Sequence, residues 1–344
     1  MCGIFGIYNF HSGRKFDETI ATNAIDTLSH RGPDARGERV FGDNCLLGHR
    51  RLSIIDLSDE SNQPFNIDNR FWIVYNGEIF NYIEIRKELI DKHSIVFKTN
   101  SDTEVLLRSY QVWGPDCVNH FNGMWAFAIF DNQNNNLFCS RDRFGIKPFN
   151  YAMVNDQLIF ASEIKAILEY FPELKKPNYN VIANFCRFSV GAQHEETWFE
   201  GIHRLMPAHN MFVSGGKTEF YNYWNYPVKS DKTITFENAK EEYRSLFIDS
   251  IKLRMRSDVP VGTTLSSGVD SNSILFSLQQ FNSAEHHTYT ADFEPDKFDA
   301  LDKSSYKNSS VAIDEAFVVR SVTKDLNLNQ RFVKINYDNF IEDL

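Results

Sequence analysis

The apolar pattern of this 344-residue chain changes its period once, near Tyr226. Before that point apolar residues come in short strand-like runs, at Cys2–Phe10, Leu46–Leu57 and Phe71–Tyr75. Asn76-Gly77 then reads as a hairpin turn. Trp125–Phe130, Leu137–Ser140, Phe149–Val154 and Gln157–Ala161 predict a meander, turned at Asp131–Asn136 and Asn155-Asp156. Helical spacing marks Phe16–Leu28, Asp102–Trp113 (with Ser101 as N-cap) and Glu163–Tyr170. Many antiparallel strands with few helices predict two layers of sheet covered by helices, an α+β arrangement.

After Tyr226 the pattern alternates. Pro227–Thr235 is polar and reads as a linker. A helix is expected over Phe236–Arg256, a strand over Val259–Leu265, a small polar loop at Ser266–Ser271 and a helix over Asn272–Phe281. A strand at Thr288–Phe293, a helix at Ala312–Leu326 and a strand at Gln330–Ile335 complete it. Such alternation predicts a parallel α/β sheet. The expected domains are therefore 1–226 and 236–344, joined by 227–235. The second is small for an open parallel sheet with its own site, so the chain is expected to stop inside that domain.

Composition excludes some classes. The net charge is −10 and no basic run is visible, which argues against nucleic acid and anionic membranes as partners. Cys2, Cys45, Cys117, Cys139 and Cys186 are scattered, without a paired spacing, which fits a reducing compartment better than a disulfide framework or a zinc site. The last four read as core thiols, and His286-His287 as a surface pair before a strand. No leader pattern precedes Cys2 and no apolar run reaches membrane-spanning length, so a cytoplasmic location is expected.

Several short motifs carry chemistry only together. Loss of Met1 would leave Cys2 with a thiol and a free α-amine on one residue, and the amine could take the thiol proton near neutral pH. Alone, Cys2 reads as a small buried residue. His30-Arg31-Gly32-Pro33-Asp34 reads as a charged turn. Arg51, on a strand, could clamp a carboxylate or be an edge charge. Asn76-Gly77-Glu78 could supply an oxyanion hole or an ordinary turn. Asp102 sits at a helix start, where capping is the plain explanation.

In order and spacing these motifs resemble the class II glutamine amidotransferase domain, specifically that of asparagine synthetases, over residues 2–225. The resemblance also rests on Cys2-Gly3-Ile4-Phe5-Gly6, Arg51-Leu52-Ser53-Ile54, Gln63-Pro64 and Tyr75-Asn76-Gly77-Glu78-Ile79. Gly123–Ala128, Arg141–Pro148 and Ala161–Ala166 complete it. It implies an αββα Ntn-hydrolase sandwich in which Cys2 attacks the glutamine amide and Asn76 with the Gly77 N–H holds the oxyanion. Arg51 would bind the α-carboxylate, and Asp102 with Glu78 the α-ammonium. Asn100 stands where the family has glycine; asparagine tolerates left-handed backbone.

Leu265-Ser266-Ser267-Gly268-Val269-Asp270-Ser271 lies between a strand and a helix. It resembles the pyrophosphate loop of ATP pyrophosphatases, with Ser267 replacing its first glycine. This implies the start of an adenine-nucleotide α-hydrolase-like domain, with ATP and Mg²⁺ as cofactors. Leu265, Ser266, Ser267, Gly268, Asp270 and Ser271 would meet the ATP phosphates, and Asp270 would hold Mg²⁺. The implied activity is glutamine-dependent asparagine synthesis through adenylated aspartate, with glutamine, aspartate and ATP as substrates and room for a homodimer. An amidotransferase acting on another carboxylate, or a glutaminase alone, are the competing readings.

Overall fold

The computed structural model describes residues 1–11, 13–189, 195–227, 233–281, 286–293, 315–324, 326 and 328–335. It divides into two compact units, Met1–Ser230 and Asp231–Leu344.

In the first unit, one sheet is built from β1 (Gly3–Asn9), β2 (Ala35–Phe41), β3 (Cys45–Arg51), β8 (Asn150–Val154), β9 (Gln157–Ala161) and β10 (Ile202–Arg204). Its order is β10-β8-β9-β1-β3-β2. The other holds β4 (Phe65–Ile67), β5 (Phe71–Ile79), β6 (Gly123–Asp131), β7 (Asn136–Arg141), β11 (His209–Ser214) and β12 (Lys217–Asn222), in the order β12-β11-β7-β6-β5-β4. All pairings in both sheets are antiparallel.

Strand alternation sorts side chains into three apolar layers. Ile4 and Tyr8 of β1 meet Trp72 and Val74 of β5 between the sheets. Phe5 and Ile7 point the other way, onto Ala21 and Ile25 of α1 (Glu18–Asp26) and Ile167 of α4 (Ile164–Tyr170). Ile73 and Tyr75 pack with Ile85 of α2 (Tyr82–His93) and Leu106 of α3 (Asp102–Trp113). The result is an αββα sandwich. Both faces of β1 are covered, so every residue in it is buried and it reads as one apolar run. Gly6 is required by contact: a Cβ there would lie 2.2 Å from the Phe160 ring. A further helix, α5 (Tyr179–Phe188), buries none of its residues.

The second unit carries α6 (Phe236–Arg254), β13 (Gly262–Thr264), α7 (Val269–Leu278), β14 (His286–Phe293), α8 (Glu315–Val322) and β15 (Leu328–Ile335). Its three strands pair in parallel in the order β13-β14-β15. Leu265, Leu275 and Val319 form its small buried core.

Four expectations are corrected. Asn76-Gly77 is no turn: both lie inside β5, whose ladder with β6 continues to Ile79 opposite Gly123. Glycine is needed at 77 because a Cβ would meet the Met124 carbonyl oxygen at 2.2 Å. The meander is two hairpins in different sheets, β6-β7 and β8-β9, because the chain crosses between layers over residues 142–149. Cys186 is exposed on α5, whereas Cys45, Cys117 and Cys139 are buried. His286 is buried within β14 and its Nε2 lies 2.6 Å from Thr263 Oγ1, because it faces the neighbouring strand. The sequence reading also passed over α2, α5, β2, β4 and β10–β12. Asn81 stands at the N-cap of α2, but its side chain donates to the His120 carbonyl and accepts the Asn122 N–H instead of capping the helix. The first part of the helix expected over Ala312–Leu326 lies outside the described residues.

Candidate active site

The same alternation that builds the inter-sheet core builds the site at its end. Cys2 continues the parity of Ile4 and Tyr8, and Asn76 continues that of Trp72 and Val74. Arg51 continues the parity of Cys45 and Leu47 on β3. Cys2, Arg51, Asn76, Gly77, Glu78 and Asp102 all line one pocket, so the structure brings together every site residue expected in the first unit.

Cys2 Sγ accepts the Leu52 N–H at 3.4 Å, and Arg31 Nε donates to the Cys2 carbonyl at 2.9 Å. Arg31 is itself held by Glu163, at 2.7 Å from Nη1. Burial pushes the Cys2 thiol up, against the Leu52 hydrogen bond and the positive chain terminus. Burial lowers the terminal amine of Met1, with Arg31 and Lys147 acting the same way.

Arg51 is 6% exposed. Its Nη1 donates to the Ser58 carbonyl and to Asn62 Oδ1, both at 2.8 Å, and its Nη2 donates to the Asp56 carbonyl. These bonds use three of the five guanidinium N–H groups and leave Nε and one Nη2 hydrogen, a fork that suits a carboxylate.

Two donors on β5 lack acceptors. Asn76 Nδ2 is buried and makes no hydrogen bond among the described residues. Trp125, opposite Gly77, turns both its N–H and its carbonyl to Asp142, the N–H at 3.2 Å from Oδ2. Gly77 therefore belongs to a non-hydrogen-bonded pair, and its N–H points away from β6. On that same edge the Tyr75 N–H goes to Gln63 Oε1 at 2.6 Å and the Ile79 N–H to Asp102 Oδ2 at 3.0 Å. The N–H between them has no acceptor among the described residues.

Ser101 caps α3 by accepting the Glu104 N–H at 3.2 Å, which leaves Asp102 in the first turn. The Asp102 carboxylate accepts from Tyr75 Oη at 3.0 Å as well as from Ile79. Burial nonetheless raises it to about 6. Asn100 is not in the left-handed region; its N–H donates to Asp56 Oδ2 at 2.7 Å, a role any residue but proline can fill.

In the second unit, Leu265–Gly268 connects β13 to α7, and Val269–Ser271 form the first turn of that helix. Ser271 Oγ lies 3.0 Å from Ser266 Oγ, accepts the Ser266 N–H and sits 3.2 Å from the Gly268 carbonyl. Those hydroxyls brace the loop. Gly268 caps α7 with no side-chain bond, so the first-turn N–H groups have no side-chain acceptor. That fits a phosphate at the helix N-terminus. Ser267 has no positive φ, so serine in place of glycine costs no strain. Asp270 lies in the first turn, a hard oxygen donor. No cluster of three metal-ligating side chains occurs among the described residues.

The family model of the glutamine amidotransferase domain matches residues 1–224. The chain belongs to the glutamine amidotransferase family. The asparagine synthase model matches residues 242–344. Among relatives, an asparagine synthetase (glutamine-hydrolysing) 3 of Bacillus subtilis is 38% identical, over 86% of this chain and 48% of its own. Asparagine synthetase 1 of the same organism is 33% identical, over 95% and 51%. The amidase chry2 of Gibberella zeae is 36% identical, over 80% and 42%. The chain thus spans about half the length of these curated relatives. Among solved structures, the glutamine phosphoribosylpyrophosphate amidotransferase of B. subtilis has a TM-score of 0.49 at 17% identity, covering 81% of this chain and 64% of that one.

Some residues in and beside this pocket escaped the sequence reading. Gln63 and Tyr75 lay inside quoted motifs without a role; they hold the edge of β5 and Asp102. His49, whose Nε2 meets the Tyr75 carbonyl at 3.0 Å, ties the two sheets beside Asn76, and burial lowers it to about 3, so it is neutral. Lys147 lines the pocket from the loop after β7. Its signal was a single cation ahead of Pro148 in the Arg141–Pro148 motif.

Proposed function

We propose that this chain hydrolyses glutamine at Cys2 and passes ammonia to ATP-dependent amidation of aspartate. The observation that carries the first half is the pair of acceptor-free donors, Asn76 Nδ2 and the Gly77 N–H, in the pocket that Cys2 lines. Donors fixed before charge develops stabilise an oxyanion without reorganising. In this reading Met1 is removed and the α-amine of Cys2 takes the thiol proton. Sγ then bonds to the glutamine side-chain carbonyl carbon, and the carbonyl electron pair moves to the oxygen between the two donors. Collapse expels ammonia, which leaves with the proton held by the amine, and forms a γ-glutamyl thioester. Water, deprotonated by the same amine, releases glutamate. The Arg51 fork holds the α-carboxylate, and Asp102 with Glu78 holds the α-ammonium.

The second half rests on the match of residues 242–344 to the asparagine synthase model and on the Leu265–Ser271 loop. ATP bound there would activate the aspartate side-chain carboxyl. Gly268 and the first turn of α7 would meet its phosphates, together with Leu265, Ser266, Ser267 and Ser271, and Asp270 would hold Mg²⁺. The similarity to an amidase favours a second reading of the acceptor, a carboxylate other than aspartate.

Glutamate release tests the first half. Cys2→Ala is expected to abolish it in a folded protein, and Asn76→Ala to lower kcat by roughly 100-fold or more. Glutaminase activity in the Cys2→Ala protein would overturn the nucleophile. Pyrophosphate release with ATP and glutamine, dependent on aspartate but not on other carboxylic acids, tests the second half.

A further inference from the structure

Lys147 is 5% exposed and lines the Cys2 pocket, yet no carboxylate lies within ion-pair distance of its ammonium, and Nζ makes no hydrogen bond, among the described residues. Its stem is buried while its charged end is left to the pocket without an ion-pair partner, so its position calls for a reason. That position is built by the backbone. The Lys147 N–H donates to Asp142 Oδ2 at 3.0 Å, and Arg141 Nε donates to the Lys147 carbonyl at 2.8 Å. Asp142 also accepts the N–H groups of Phe144 and Ile146, both at 3.0 Å, and so folds the whole turn around one buried carboxylate. Nothing in that arrangement uses the ammonium itself.

We infer that Lys147 is a positioning residue whose unpaired charge keeps the Cys2 thiol and its α-amine poised for proton transfer at neutral pH. The inference rests on the reading of Cys2 as the nucleophile and deepens it. A positive charge facing both groups favours the thiolate over the thiol and the free amine over the ammonium. The first change makes the thiol a better proton donor, and the second keeps the amine in the neutral form that can accept a proton, though as a weaker base. The other charges facing this pair come from four elements. Arg31 and Asp34 stand on the turn before β2, Arg51 on β3, Glu78 and Tyr75 on β5, and Asp102 on α3. Arg31 is paired with Glu163, and Arg51 is bonded to the 56–62 loop. Lys147 is thus the cation here without a protein partner among the described residues. Burial lowers the Lys147 ammonium, with Glu78 and Cys2 opposing that, and Lys147 in turn helps to lower the amine of Met1.

The test compares the full chain with Lys147→Met and Lys147→Arg variants. Iodoacetamide alkylation of Cys2 is followed against pH, with mass spectrometry separating Cys2 from exposed Cys186. In parallel, kcat/KM for glutamine is measured from pH 5.5 to 9.5. In Lys147→Met the alkylation midpoint is expected to move up by about one pH unit. That corresponds to a loss of about tenfold in kcat/KM at pH 7, recovered near pH 9. Lys147→Arg should restore the wild-type profile. Lys147→Gln, which keeps a polar end, replaces the methionine variant if that fails to fold. An unmoved midpoint in the neutral variant, or an equal shift in Lys147→Arg, would overturn the inference. Failure of the underlying reading looks different, because glutaminase activity would then survive in Cys2→Ala.

Discussion

Asp102 holds a carboxylate that is almost wholly buried at the wall of the pocket, and its behaviour follows from that. Its folded value of about 6 stands above the ordinary 3.8 because burial disfavours the charge more than the Ile79 and Tyr75 hydrogen bonds favour it. Between those two values the folded state binds a proton that the unfolded chain has lost, so this group favours the folded state below about pH 4 and that contribution is lost as pH rises through 6. A shift of this size corresponds to a penalty on the order of 3 kcal/mol at neutral pH. Asp102→Asn is therefore expected to raise unfolding stability in urea at pH 7.5 by about 1–2 kcal/mol, and to change it little at pH 4. The same variant should raise KM for glutamine more than it lowers kcat. In the wild-type protein KM should climb as pH falls through about 6, and that climb should vanish in the variant. A pH-independent KM in the wild type would remove Asp102 from ammonium recognition.

The element that carries Asp102 is the one most fully written in its own residues. α3 runs from Asp102 to Trp113, with Ser101 as its N-cap, as the capping and spacing signals indicate. Its first eight residues are all buried, so its end cannot fray into water at no cost. Ser101→Ala should lower stability by about 1 kcal/mol, measured by denaturant midpoint, because the Glu104 N–H would be left buried without an acceptor. β5 shows where such local signals fail. Asn-Gly is a strong turn signal, yet at 76–77 it lies in a strand, because the glycine answers to Met124 and Trp125 on the neighbouring strand. α5 shows the opposite failure: it forms with Asn178 capping through the Val181 N–H, but none of its residues is buried, and no core pattern marked it.

At the scale of the molecule, the chain divides into two compact units, Met1–Ser230 and Asp231–Leu344. The first has an inter-sheet core and two helix-covered faces of its own, so residues 1–226 produced alone are expected to unfold cooperatively. They should also keep glutamine hydrolysis within about tenfold of the full chain. A fragment that stays unfolded would show that the first unit needs the second. The parallel sheet of the second unit, with only three residues in its main buried cluster among the described residues, is not expected to persist alone in the same way.

What the residues determined by themselves was local and periodic: the apolar runs of β1, β6 and β9, the cap and extent of α3, and the motifs that carry Cys2, Arg51, Asn76 and Asp102. Strand parity even tells that Cys2, Ile4 and Tyr8 share a face. The tertiary structure decided which sheet each strand joins, that β7 and β8 part company, that the Gly77 N–H is left without an acceptor, and that Lys147 enters the pocket uncompensated. The reason is physical. Burial of apolar surface is non-directional, so a sequence states which side chains leave water without stating what they will meet. Hydrogen bonds and charges do depend on direction and distance, and those are set only when segments far apart in the chain come to rest against one another.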